Sequence, residues 1–215
     1  MKISNLGQIN KDSISNIIFD WGGVITELDF EATARMFQDL GLENFGQYFS
    51  KSHQTEFLTD FETGKIIPEE FRNTISKYLS PGTTIREIDA AWNSVIGETP
   101  AERIDLLKRL GKKYNLYLLS NTNKIHTDTH NQNLRDTFGT DHHSLFKKVY
   151  YSNITGMRKP DVRFFRHVLA DSNLEPERTL YIDDTEIHIH AASETGINAF
   201  HLDSGMDIIS LFKNW

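Results

Sequence analysis

The sequence predicts an α/β fold: a doubly wound parallel sheet with a small helical insertion after its first strand. Three observations carry this. Five short runs (16–20, 116–120, 148–152, 179–183 and 198–202) are almost wholly apolar or aromatic, the pattern of strands covered on both faces. Single helical segments separate most of the later runs. From 30 to 97 the strand pattern stops and only helical spacing remains.

Each element follows from local chemistry. After the first run, Phe30, Ala34, Phe37 and Leu40 share one helical stripe, as do Phe71, Ile75, Tyr78 and Leu79 behind Pro68-Glu69-Glu70. Thr84-Ile85-Arg86-Glu87 forms a capping box before Ile88, Trp92 and Val95. Thr99 as cap and Pro100 in the first turn open a helix that carries Ile104, Leu107 and Leu110 to Gly111. Pro160 opens another, with Val162, Phe165, Val168 and Leu169 on one side, and Glu186 to Thr195 closes at Gly196. Met206, Ile209, Leu211, Phe212 and Trp215 read as a C-terminal packing helix. The expected division is a core of 1–29 and 98–215 with a helical cap of 30–97. The insertion leaves directly after a polar strand end, which favours a cap over the ligand-binding edge of the sheet above mere edge decoration.

Composition narrows the function. A chain of 215 residues buries a sizeable core without staples. The absence of cysteine excludes a disulfide framework, a thiolate zinc site, an iron–sulfur cluster and a cysteine nucleophile. A net charge of −7 argues against a general nucleic-acid or anionic-membrane binder. No apolar run approaches the roughly 18 residues of a membrane span, and the N-terminus lacks a secretory segment. The expectation is a cytoplasmic protein, monomer or weak homodimer, with no nucleic-acid or membrane partner.

The strand ends carry the chemistry. Asp20 ends the first run, Ser120 and Asn121 the second, Asp183 and Asp184 the fourth. A parallel sheet brings such ends to one edge, where clustered carboxylates repel unless a cation lies between them. Oxygen ligands of this kind favour Mg²⁺. Helix and turn capping explains any one of these residues, but explains three polar ends less well. Gly22-Gly23 allows a sharp turn beside a ligand. Lys159, just before Pro160, would lie at the positive end of a helix, a place for anions.

Taken together, IIFDWGGVI, YLLSNTN, GMRKPD and LYIDDTEIHIHAA, in this order and spacing, resemble the haloacid dehalogenase superfamily of phosphohydrolases, and within it the bacterial alpha-D-glucose-1-phosphate phosphatase branch. The resemblance implies a Rossmann-like core, a helical cap and a Mg²⁺-dependent phosphatase of small phosphorylated metabolites, with a sugar phosphate expected. It implies Asp20 as the nucleophile that forms an aspartyl-phosphate. Ser120 and the backbone at Asn121 would hold a phosphoryl oxygen, and Lys159 would neutralise the charge there. Asp20, Asp183, Asp184 and the carbonyl of Gly22 would be the metal ligands.

One departure stands out. Most phosphatases of the superfamily read Asp-x-Asp, the second Asp being the general acid and base, and here Gly22 occupies that place. Three readings compete: a phosphatase whose leaving group needs little help, such as an anomeric phosphate; a phosphate-ligand binding protein with weak turnover; or another hydrolase type. The last includes the dehalogenases and a phosphonoacetaldehyde hydrolase-like enzyme with a Schiff-base lysine, for which Lys51, Lys65 and Lys77 are available. Asp29 is a candidate stand-in base, although capping of the helix at Phe30 explains it more cheaply. His126 and His130, at i and i+4, sit in a stretch that reads as a solvated face, and His188 lies near the acidic edge.

Overall fold

The structure is a computed structural model and describes residues 9–45, 55–213 and 215. Its centre is an all-parallel sheet of β1 (Asn16–Phe19), β2 (Asn115–Ser120), β3 (Lys148–Tyr151), β4 (Thr179–Asp183) and β5 (Asn198–His201), in the order β3-β2-β1-β4-β5. β1 lies between β2 and β4, with Phe19 opposite Leu118 on one side and Ile182 on the other. The strand order reverses at β1, so a crevice opens beyond its carboxyl end.

Alternate residues of each strand enter different cores. Ile17, Phe19, Leu116, Leu118, Leu180 and Ile182 pack with Ile104, Leu107 and Phe212. Ile18, Tyr117, Leu119 and Tyr181 pack on the opposite face with Phe164, Phe165 and Ile189. Burial on both faces is why these strands read as continuous apolar runs.

Helices α1 (Phe30–Asp39), α2 (Glu56–Glu62), α3 (Pro68–Ile75) and α4 (Ile85–Asn93) follow β1 and precede α5 (Ala101–Leu110). They bury a core of their own around Phe37, Phe61, Phe71 and Trp92, joined by Ile125. Two strap segments carry the chain out and back as an antiparallel pair. Leu28 bridges Ile96, the Glu27 N–H donates to the Glu98 carbonyl, and the Gly97 N–H donates to the Glu27 carbonyl. The remaining helices are α6 (Lys124–Phe138), α7 (His142–Leu145), α8 (Ser152–Thr155), α9 (Val162–Asp171), α10 (Glu186–Ser193) and α11 (Ile208–Leu211). None of the described helices is long and apolar enough to cross a membrane.

Four local expectations are corrected. Helix α9 starts at Val162, capped by the Asp161 side chain, so Pro160 and Lys159 lie in the loop before it and not at its first turn. Pro100, not Thr99, is the cap residue of α5; the Thr99 hydroxyl bonds Thr26 across the strap at 2.6 Å. Tyr78 leaves the apolar stripe because α3 gives way to a 3₁₀ turn at Ser76–Tyr78, which rotates its ring into solvent. At the C-terminus Ile208 and Phe212 are buried while Met206 is half exposed, because the helix begins only after it.

Candidate active site

A cavity of about 130 Å³ lies between the carboxyl ends of the central strands and the α1–α4 insertion. Asp20 follows β1 directly and is fixed there by its backbone N–H, which donates to the Ile182 carbonyl at 2.9 Å. Ser120 ends β2 and Asp183 ends β4, so parallel pairing alone delivers these residues to one edge. Asp20, Gly22, Ser120, Asn121 and Asp184 line the cavity.

Lys159 arrives from the loop between α8 and α9. Its ammonium is wholly buried, 2.9 Å from Asp20 Oδ1 and 2.7 Å from Asp183 Oδ2. Asn121 positions it through two reciprocal bonds. The Asn121 Nδ2 donates to the Lys159 carbonyl at 2.9 Å, and the Lys159 N–H donates to Asn121 Oδ1 at 2.8 Å.

The two neighbouring aspartates do different things. Asp183 is fully buried and already saturated. Besides Lys159, it accepts the Tyr181 hydroxyl, the Thr185 N–H at 2.8 Å and a bond to His188 Nδ1 at 3.0 Å. Asp184 turns to the cavity and packs against the Gly22-Gly23 turn. A Cβ at Gly23, whose φ is +76°, would lie 2.0 Å from Asp184 Oδ2, so only glycine fits there. Ligand atoms of Asp20, Asp183 and His188 lie within 4.8 Å of one another.

The charges are unbalanced. Burial raises the Asp20 carboxyl well above the usual carboxylate range; Lys159 pulls it down, and Asp183 and Asp184 add to the rise. Burial also works against ionised Asp183, yet Lys159 and His188 outweigh it and hold its pKa far below the usual range. For Lys159, burial favours the neutral amine, but Asp183 and Asp20 prevail and keep it charged. Two carboxylates thus flank one buried ammonium, with Asp184 close enough to act on Asp20, a donor set of hard oxygens that suits a divalent cation.

Several contributors escape a reading of the sequence alone. An ideal Cβ built on Gly22 would lie 2.8 Å from Leu28 Cδ1, so a strap residue fills the space a side chain at 22 would need. Glu62 of α2 lines the cavity, ion-paired with Arg158 at 3.0 Å. Trp21, 1% exposed, lines it as well, and its indole N–H donates to His130 Nδ1 at 3.2 Å. His126 and His130 both face this cavity, which corrects the solvated-face expectation: α6 packs against α4, and the His126 ring stacks on Trp92. The exposed face of α6 is carried instead by Lys124, Asp128, Gln132, Asn133 and Arg135. Asp29 caps α1 by accepting the Ala32 N–H at 2.7 Å and is absent from the cavity wall. Lys65 pairs with Asp60 at the surface, Lys77 is exposed, and neither lines the cavity; Lys51 lies outside the described residues.

Comparison with known proteins agrees with this geometry. The model of the haloacid dehalogenase-like hydrolases matches residues 14–196. The chain is 32% identical over 194 residues to a D-ribitol-5-phosphate phosphatase of Bacteroides thetaiotaomicron, covering 90% of this chain and 94% of that one. It is 29% identical to a sesquiterpene phosphatase, astK, of Aspergillus oryzae, covering 88% and 90%. Among solved structures, a haloacid dehalogenase family enzyme of Bacteroides thetaiotaomicron, in complex with magnesium and inorganic phosphate, superposes with a TM-score of 0.85 at 35% identity, covering 93% of this chain and 99% of that one. The family match over residues 14–196 and the 32% identity along nine-tenths of the chain lead to one conclusion: this chain belongs to the haloacid dehalogenase-like hydrolase family.

Proposed function

We propose that this protein is a Mg²⁺-dependent phosphatase of a small phosphorylated metabolite, a sugar or sugar-alcohol phosphate, working through an aspartyl-phosphate on Asp20. The observation that carries this reading is the buried Asp20–Lys159–Asp183 cluster, which meets the cavity at Asp20. The kinship with a D-ribitol-5-phosphate phosphatase and with a structure holding magnesium and phosphate supports the substrate class and the ion.

Asp20, Asp184 and the main-chain carbonyl of Gly22 are the groups that would hold Mg²⁺. Asp184 is preferred to Asp183 as the second carboxylate because the oxygens of Asp183 already accept four partners. When bound, the ion supplies positive charge that lets a phosphate dianion approach a carboxylate. Lys159 adds a second fixed charge at the nucleophile, and Ser120 with the backbone at Asn121 orients the phosphoryl oxygens. An Asp20 oxygen then attacks phosphorus in line with the departing ester oxygen. The P–O ester bond breaks, its electron pair leaves with the oxygen, and water later cleaves the acyl phosphate to release inorganic phosphate and restore Asp20.

With Gly22 and Leu28 where an acid would stand, no side chain at that position protonates the leaving group. An anomeric phosphate, whose leaving oxygen is more acidic, needs little help at such a site, whereas the alkoxide released from a sugar-alcohol phosphate takes its proton from water. The test is phosphate release from a panel of sugar and polyol phosphates, with Mg²⁺ or with excess chelator. Wild type should turn over at least one substrate, and both chelation and Asp20→Asn should remove that activity. Equal trace rates in wild type and variant would leave only a phosphate-binding protein.

A further inference from the structure

We infer that Glu62 and His130 select the organic half of the substrate, and that this half is a hydroxyl-bearing chain; the inference rests on the phosphatase reading above. Glu62 is 6% exposed, yet it lines the cavity, with its carboxylate paired to Arg158, the residue before Lys159. A buried ion pair is no more stabilising than apolar side chains of the same volume. Such departures from ordinary core chemistry gather at functional sites. Here the pair also joins the α2 end of the insertion to the loop that carries the catalytic ammonium.

His130 supplies the complementary group. A tryptophan N–H can only donate, so His130 Nδ1 accepts from Trp21. Burial holds the ring neutral, its pKa well below the ordinary value, with His142 adding to the effect. The proton of a neutral ring whose Nδ1 accepts resides on Nε2. The cavity therefore offers an uncharged N–H donor from α6 and a carboxylate acceptor from α2. A hydroxyl group satisfies both, donating to Glu62 and accepting from His130. Leu28, Phe30 and Val95 line the same cavity and suit the C–H face of a short carbon chain.

Other occupants fit worse. A terpenoid chain would offer neither the Glu62–Arg158 pair nor the imidazole edge a polar group in place of water. The cavity of about 130 Å³ is also well below the roughly 300–1,000 Å³ typical of drug-sized ligands.

The experiment measures calorimetric binding of ribitol 5-phosphate and of pentyl phosphate, with Mg²⁺ present, to Asp20→Asn protein. The same measurement is made with Glu62→Leu or His130→Phe added. The parent should prefer the polyol by roughly tenfold or more, the worth of a hydrogen bond to a charged group. Either added substitution should bring the ratio of affinities towards one. Glu62→Gln, isosteric with the native side chain, stands in if Glu62→Leu does not fold. A parent that binds both probes equally, or variants that weaken both in parallel, would overturn the inference. Because binding is read on a protein unable to turn over, its failure is separate from a failure of wild type to release phosphate.

Discussion

At the residue scale, the division of labour between Asp183 and Asp184 is a matter of lone pairs. Asp183 spends its oxygens on Lys159, Tyr181, Thr185 and His188, whereas Asp184 faces the cavity. Asp184→Asn should therefore raise the Mg²⁺ concentration needed for half-maximal activity, with little change in melting temperature. Asp183→Asn should instead destabilise the fold by about 3 kcal/mol or more, since it strips a buried ammonium of a charged partner. A Mg²⁺ titration and a urea melt of each variant separate the two; identical behaviour would refute the division. Gly22 poses a second question at this scale. Its φ is compatible with a side chain, but Leu28 occupies the space. Gly22→Asp alone should help little. Combined with Leu28→Ala it should accelerate hydrolysis of simple alkyl phosphates, up to the roughly 10²–10⁴ that a placed acid supplies. A double variant no faster than the single would show that the missing acid is not what limits such substrates.

At the element scale, the end of α2 is pinned where it meets α8. Gly64 has φ +72°, and a Cβ there would lie 2.1 Å from the Asn153 carbonyl oxygen. That close approach sets Glu62 against Arg158. Gly64→Ala must pay for the left-handed backbone, about 1 kcal/mol, and for displacing the helix besides. It should lower the urea midpoint and weaken substrate binding together, whereas glycine at an open surface turn such as Gly82, with nothing within 4 Å of a Cβ, should lower stability alone when replaced. The strands and capping motifs were legible at this scale because they are local. All five runs became strands, and the Thr84–Glu87 box formed as read. The start of α9 was not legible: Pro160 and Asp161 both carry helix-opening signals, and the clamp of Asn121 on Lys159, made across 38 residues, holds a separate turn ahead of the helix, closed by the Asp161 N–H donating to the Arg158 carbonyl at 3.0 Å.

For the whole molecule, two buried neutral imidazoles matter: His126, stacked on Trp92 of the insertion, and His142, packed against Trp21 within the core. Burial lowers the His126 pKa to about 4 and that of His142 to about 3. Both lie below the unfolded value near 6.5, so the unfolded chain binds more protons between those limits. Their contribution is full above pH 6.5 and is lost as pH falls towards 3 to 4, roughly 3 kcal/mol for His126 alone. Stability by urea melts should fall steeply from pH 6.5 to 4, and His142→Phe should flatten the slope; an unchanged slope would count against this assignment.

The sequence by itself determined the order of elements, the parallel sheet and the arrival of Asp20, Ser120 and Asp183 at one edge. Continuous apolar runs and the helical segments between them are written in local pattern, and parallel pairing turns them into position. The tertiary structure alone decided that Leu28 fills the space beside Gly22, that Asn121 clamps Lys159, and that Glu62, His126 and His130 look into the cavity. Those contacts join residues from separate elements, and their energy depends on distances and burial that no spacing along the chain encodes.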